Sequence, residues 1–145
     1  MRVVVQRVKS ASCHVDGKLT GKINQGLFLL VSFTHTDTKE NCIKMARKIA
    51  GLRVFSDEND KMNLSLKDVN GEILSISQFT LYGDTNKGFR PSFVNSMKAE
   101  EATGLYDFFN EELRKYDIKV ETGIFGADMI LDPICDGPVT LLIEF

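Results

Sequence analysis

The stretch Ser77-Gln78-Phe79-Thr80-Leu81-Tyr82-Gly83-Asp84 concentrates the groups in this sequence that can do chemistry. Three hydrogen-bonding side chains, Ser77, Gln78 and Thr80, surround one large aromatic, Phe79. They follow Glu72-Ile73-Leu74-Ser75-Ile76, whose alternation of apolar and small polar residues predicts a mostly buried strand. The chain is expected to stay strand-like through the polar segment, which Gly83-Asp84 and the loop Thr85-Asn86-Lys87-Gly88 then close. A buried strand that delivers polar groups at its carboxyl end is a common way to hold a small ligand. The plainer alternative is that Ser and Thr fill a partly exposed strand end.

The elements that must position this segment follow from periodicity. Arg2 to Val8 alternates as a first strand. Ser12-Cys13-His14-Val15 and Leu19-Thr20-Gly21-Lys22-Ile23 flank Asp16-Gly17, a hairpin signal. Leu27 to Phe33 is apolar on both faces, as in a central strand covered on both sides. Asp37 is expected to cap a helix with Glu40 reaching back, Cys42, Met45, Ala46 and Ile49 forming its buried stripe and Gly51 its end. Leu52 to Phe55 reads as a short strand, and Met62 to Leu66 leads to a turn at Asn70-Gly71. Ala102, Leu105, Phe109, Leu113 and Tyr116 fall at helical spacing between about Ser96 and Tyr116. Ile118 to Thr122 alternates as a strand. Met129-Ile130-Leu131 and Val139 to Ile143 read as two further strands separated by Pro133 and Asp136-Gly137-Pro138. Together these predict an α+β fold: a largely antiparallel or mixed β-sheet, barrel-like, with two main helices packed outside.

At 145 residues the chain is the size of one domain, with 43% hydrophobic and 26% charged residues, ordinary for a soluble globular protein. No apolar run is long enough to span a membrane and the start is too charged for a signal peptide, so cytoplasmic residence is the default expectation. Cys13, Cys42 and Cys135 are widely spaced, with neither histidine near enough for a zinc motif, so no metal or cofactor is expected. A net charge of −2 argues against bulk electrostatic coating of nucleic acid, while leaving room for a local basic patch.

Ser77-Gln78-Phe79-Thr80 with its extension, together with Gly137-Pro138-Val139-Thr140, resembles the D-aminoacyl-tRNA deacylase family. The resemblance extends over Val5-Gln6-Arg7-Val8, Val15-Asp16-Gly17, Lys61 to Leu66, Lys87-Gly88 with Arg90-Pro91-Ser92-Phe93, and Glu121-Thr122-Gly123 leading into Phe125 to Met129. It implies a homodimeric hydrolase of the ester joining a D-amino acid, and in many members glycine, to the 3′-terminal adenosine of tRNA. It implies a pocket of Ser77, Gln78, Phe79 and Thr80 in one subunit, entered by a cis Gly137-Pro138 pair from the other. Arg7 then steadies that pair, and Phe125, Ala127 and Met129 line the adenosine side. The departures are Gly83 where many relatives have alanine, Cys13-His14 in place of valine and threonine, and an unusual lead-in from Ile130 to Cys135.

Within that resemblance Thr80 is the obvious candidate nucleophile. A threonine hydroxyl attacks poorly unless a base takes its proton, and no histidine, lysine or carboxylate adjoins it in sequence. His14 and His35 read as hydrated histidines at strand ends. We therefore read Thr80 as a binder and pocket wall, with amides near Phe79 and Thr80 polarising the ester carbonyl and water or the vicinal 2′-hydroxyl as base. Arg7, taken without the resemblance, is an edge-strand surface charge. Lys87, Arg90 and Lys98 are either a solvated loop or a contact for acceptor-stem phosphates. A dimeric module that holds the aminoacylated end of tRNA without cleaving it is the competing reading, and a small-molecule pocket unrelated to tRNA a third, which would require the long resemblance to be accidental.

Overall fold

In a computed structural model that describes Met1–Phe145, the chain runs through β1 (Arg2–Val15), β2 (Lys18–Ile23), β3 (Gly26–Ser32), α1 (Lys39–Ala50), β4 (Phe55–Ser56), β5 (Met62–Leu64) and β6 (Glu72–Ser77). A 3-10 turn (Phe79–Tyr82), α2 (Ala99–Arg114), β7 (Val120–Thr122) and β8 (Ile130–Glu144) complete it. The main sheet has the order β2-β1-β3-β6-β7, with β8 also paired to β1. β1 meets β2, β3 and β8 antiparallel, whereas β3-β6 and β6-β7 are parallel. The sheet is therefore mixed, and it nearly closes on itself. A Cβ added to Gly21 of β2 would lie 2.7 Å from the Thr122 carbonyl oxygen of β7, which only glycine permits.

The doubly apolar β3 is explained by two cores. Leu27, Leu29 and Val31 join Val3, Val5, Cys42, Met45, Ile49, Tyr106, Phe109 and Leu113 under the two helices. Phe28, on the alternate face, joins Val8, Ala11, Cys13, Ile23, Leu74 and Ile76 inside the barrel, with Leu30, Met129 and Leu131 packed against them. Gly26 begins the strand where a side chain would collide with the backbone of Glu72, its parallel partner.

Several elements differ from expectation, each for a local reason. β1 does not stop at Val8 but continues to Val15, because β8 supports its whole length. The cap of α1 is Thr38, whose amide donates to Asn41 Oδ1 at 3.0 Å, and Asp37 instead accepts the Thr34 amide and the Met1 α-amino group. Between Leu52 and Phe55 only Phe55 joins a ladder. On α2, Tyr106 is buried while Tyr116, beyond the helix end, is exposed. The two last strands are one. Pro133 fits within β8 because the strand pairs only with β1, and Pro138 because it lies in the irregularity opposite Arg7, where residues 136–139 have no partner on β1. After Ser77 the strand gives way to the 3-10 turn. Gln78 makes the last ladder-like bond, its amide to the Val31 carbonyl at 2.7 Å, and β3 has ended by Ser32.

Candidate active site

The carboxyl ends of β3 and β6 open into a cleft of about 440 Å³. Ser77, Gln78 and Phe79 form one wall and Phe125, Ala127 and Met129 another, so these six sequence-derived candidates come together. Val31, Phe33, Ile76, Ala99 and Leu131 add apolar lining, with Ser32 among them, and Asp128 is the one charged residue of the lining. Thr80 stands just outside it, exposed at the rim, with its hydroxyl accepting a hydrogen bond from Gln78 Nε2.

Hydroxyls pin the turn that carries Phe79. Its carbonyl accepts from Ser96 Oγ at 2.9 Å and from the buried Ser32 Oγ at 3.4 Å. The Phe79 and Thr80 amides open the 3-10 turn and donate no hydrogen bond within the chain, as first-turn amides of a helix do. The Phe79 ring meets Phe93 edge-on at 5.0 Å. Behind the opposite wall, Tyr106 tilts against Phe125 at 5.7 Å and its hydroxyl donates to the Ser75 carbonyl at 2.7 Å. Burial is the main cause that pushes the Tyr106 phenol up to about 12, so it remains a neutral donor.

Gly137-Pro138 has a cis peptide bond and is exposed, and neither residue lines the cleft of its own chain. Arg7 anchors the segment. Its Nε donates to the Asp136 carbonyl at 3.2 Å and pairs with the Asp136 carboxylate at 3.3 Å, while Nη1 donates to the Val54 carbonyl at 2.6 Å. The β1-β8 register skips Arg7, and this irregularity leaves room for the guanidinium. At Gly137, with φ +132°, an added Cβ would lie 2.8 Å from the Val139 nitrogen, so only glycine fits.

His14 lies on β1 and His35 bonds the Val94 carbonyl at 2.8 Å; neither lines the cleft. Ser32, Ser96 and Ala99 escaped the sequence reading. Only Ser32 carried a signal, as the sole hydroxyl in the apolar run Leu27–Phe33.

A sequence model described as D-Tyr-tRNA(Tyr) deacylase matches residues 4–144. The chain belongs to that family. Relatives named D-aminoacyl-tRNA deacylase from Bacillus cytotoxicus and Bacillus thuringiensis (strain Al Hakam) are each 58% identical over 144 residues, 99% of both chains. The solved c-Myc DNA Unwinding Element Binding Protein is 41% identical with a TM-score of 0.93, covering 100% of this chain and 99% of that one. A structure titled as a probable eukaryotic D-amino acid tRNA deacylase shares the fold alone, at TM-score 0.85 and 19% identity over 99% of this chain and 98% of that one. This member of the D-Tyr-tRNA(Tyr) deacylase family carries Gly83 where an added Cβ would sit 2.9 Å from the Phe93 ring and 3.0 Å from the Thr80 carbonyl. Alanine there requires Phe93 to give way. No helix of this family member is long and apolar enough to cross a membrane.

Proposed function

We propose that this chain, a single deacylase domain over residues 1–145, hydrolyses the ester between a D-amino acid, or glycine, and the 3′-terminal adenosine of tRNA. It acts in the cytoplasm as a homodimer, without metal or cofactor. The observation that carries this reading is the pair of unengaged amides at Phe79 and Thr80, opening a turn pinned by Ser32 and Ser96 at the cleft wall. Fixed amides of this kind stabilise the charge that develops on a carbonyl oxygen under attack. Water adds to the carbonyl carbon, the bond to the ribose 3′-oxygen breaks, and a proton passes to that oxygen. The vicinal 2′-hydroxyl or a second water serves as base. Ser77, Gln78 and Thr80 hold the substrate, and Phe125, Ala127 and Met129 receive the adenosine.

Chirality rests with Gly137 and Pro138 of the second subunit, whose stiff backbone takes the substrate ammonium and leaves no space for an L side chain. Exclusion of L, rather than attraction to D, then sets specificity. The exposure of the pair and its fixation by Arg7, away from its own cleft, support delivery to another chain. A deacylation assay on D-tyrosyl-, L-tyrosyl- and glycyl-tRNA tests the reading. Release of D-tyrosine and glycine with L-tyrosyl-tRNA spared is expected. Equal hydrolysis of both tyrosyl enantiomers refutes the exclusion, and binding without turnover leaves a module that only holds the charged tRNA.

A further inference from the structure

Between Asp84 and Ser92 the chain leaves the body as a braced loop. Its ends are cross-bridged, Asp84 N to Ser92 O at 2.8 Å and Ser92 N to Asp84 O at 2.9 Å. The Asp84 carboxylate is occupied by Asn86, through its amide at 2.9 Å and its Nδ2 at 2.7 Å. Gly88, at φ +72°, makes the turn at the tip, where an added Cβ would meet nothing within 4 Å. Next to it Phe89 is fully exposed, so its ring serves no packing purpose within this chain. Lys87 and Arg90 flank that ring and enter no ion pair.

The base of the loop stands on the cleft wall, since Phe93 packs on Phe79 and Ser96 bonds the Phe79 carbonyl. A bare aromatic between two free cations, on a stiffened loop beside a binding cleft, has the chemistry that recognises single-stranded nucleic acid. Any base offers a π-face to stack, and the cations meet the phosphates on either side. The chain as a whole, at net charge −2, has no general attraction for RNA, so these cations act locally.

Resting on the deacylase reading above, we propose that the Asp84–Ser92 loop is a stacking platform for an unpaired base preceding the terminal adenosine of the RNA 3′ tail, Phe89 supplying the ring and Lys87 and Arg90 the phosphate contacts.

The test uses uncharged RNA, so it reads binding without turnover. Fluorescence anisotropy compares an RNA hairpin carrying a four-nucleotide single-stranded ACCA 3′ tail with the same hairpin ended blunt. Phe89→Ala is expected to weaken binding of the tailed RNA roughly tenfold, with a much smaller effect on the blunt one. Phe89→Trp restores the affinity and Phe89→Leu does not. Removing Lys87 or Arg90 lowers the slope of log affinity against log salt by about 1 each. Equal weakening on both RNAs, or full affinity in Phe89→Leu, overturns the proposal. So does a change of sedimentation mass in Phe89→Ala, which would make the ring a contact between copies of the chain. A wild-type chain that binds the tail through Phe89 but does not hydrolyse D-tyrosyl-tRNA sustains the platform and ends the deacylase reading.

Discussion

Arg7 holds Asp136 twice, through the carbonyl at 3.2 Å and the carboxylate at 3.3 Å, and ties both to the Val54 carbonyl with its other arm. One planar guanidinium therefore fixes the residue preceding Gly137 against two separate segments. A lysine has the charge but not the fork, and its single nitrogen cannot meet Val54 and Asp136 together. The Arg7 side chain is only 11% exposed, so a group left unpaired there is poorly hydrated.

Arg7→Lys should fold, with an unchanged circular dichroism spectrum, and lose about tenfold in kcat/KM for D-tyrosyl-tRNA, the cost of one charged hydrogen bond. Arg7→Ala should lose more and lower the Tm as well. Wild-type turnover in Arg7→Lys would detach the Gly137-Pro138 segment from the reaction.

Thr80 lies outside the cleft lining, its hydroxyl accepting from Gln78, and the proposed function makes it a binder rather than a nucleophile. Thr80→Ala is expected to raise KM and to keep a measurable kcat, reduced by no more than about tenfold for one neutral hydrogen bond. His14→Gln and His35→Gln should leave single-turnover rates close to wild type, since neither residue lines the cleft. Abolished turnover in Thr80→Ala with unaltered tRNA affinity would restore the hydroxyl as nucleophile.

The fold shows what a sequence can carry. The run Leu27–Phe33 announced a strand covered on both faces, and the Asp16-Gly17 turn announced the β1-β2 hairpin, because burial and turn chemistry are local. The bend after Ser77 was not local: it depends on β3 ending at Ser32 and on Ser96, well downstream, capturing the Phe79 carbonyl. The unity of β8 was hidden for the same reason. Pro133 and Pro138 look like strand breakers until β1 is seen as the only partner strand and its register with β8 is seen to skip residues 136–139. Likewise, Asp37 has the sequence of a helix cap, yet a charge distant in sequence, the Met1 α-amino group, claims it and leaves the cap to Thr38.

Stability should fall in alkali in two stages. Burial first, and then the Asp37 charge, push the Cys42 thiol from 9.0 up to about 12, and burial first pushes the Tyr106 phenol from 10.0 to about 12. In each case the unfolded chain gives up its proton at the lower pH while the folded chain retains it. Between the two values the unfolded state binds fewer protons, so the free energy of unfolding decreases as pH rises. Urea midpoints measured from pH 8 to 12 should decline from about 9 onward. Cys42→Ala should remove the part of the decline that begins near 9, and Tyr106→Phe part of that beginning near 10. A decline of equal depth in both variants would assign it to other groups.

β8 offers the test of assembly. It pairs with β1 alone and exposes Ile130, Ile134, Leu141 and Leu142, the last by 58%, on an edge long enough to invite another chain. Exposed apolar edges of this length are normally covered or blunted by charge. The proposed homodimer covers this one while presenting Gly137 and Pro138 to the second cleft. Sedimentation should give twice the 16.3 kDa chain mass for the wild type. Leu142→Lys places a charge on that surface without entering either core, and is expected to shift the protein toward monomer. Turnover of D-tyrosyl-tRNA should fall in step with the dimer fraction and recover as protein concentration rises, because in the proposed dimer each cleft takes its chiral wall from the partner. A fully active monomer at all concentrations would mean that one chain completes the site alone.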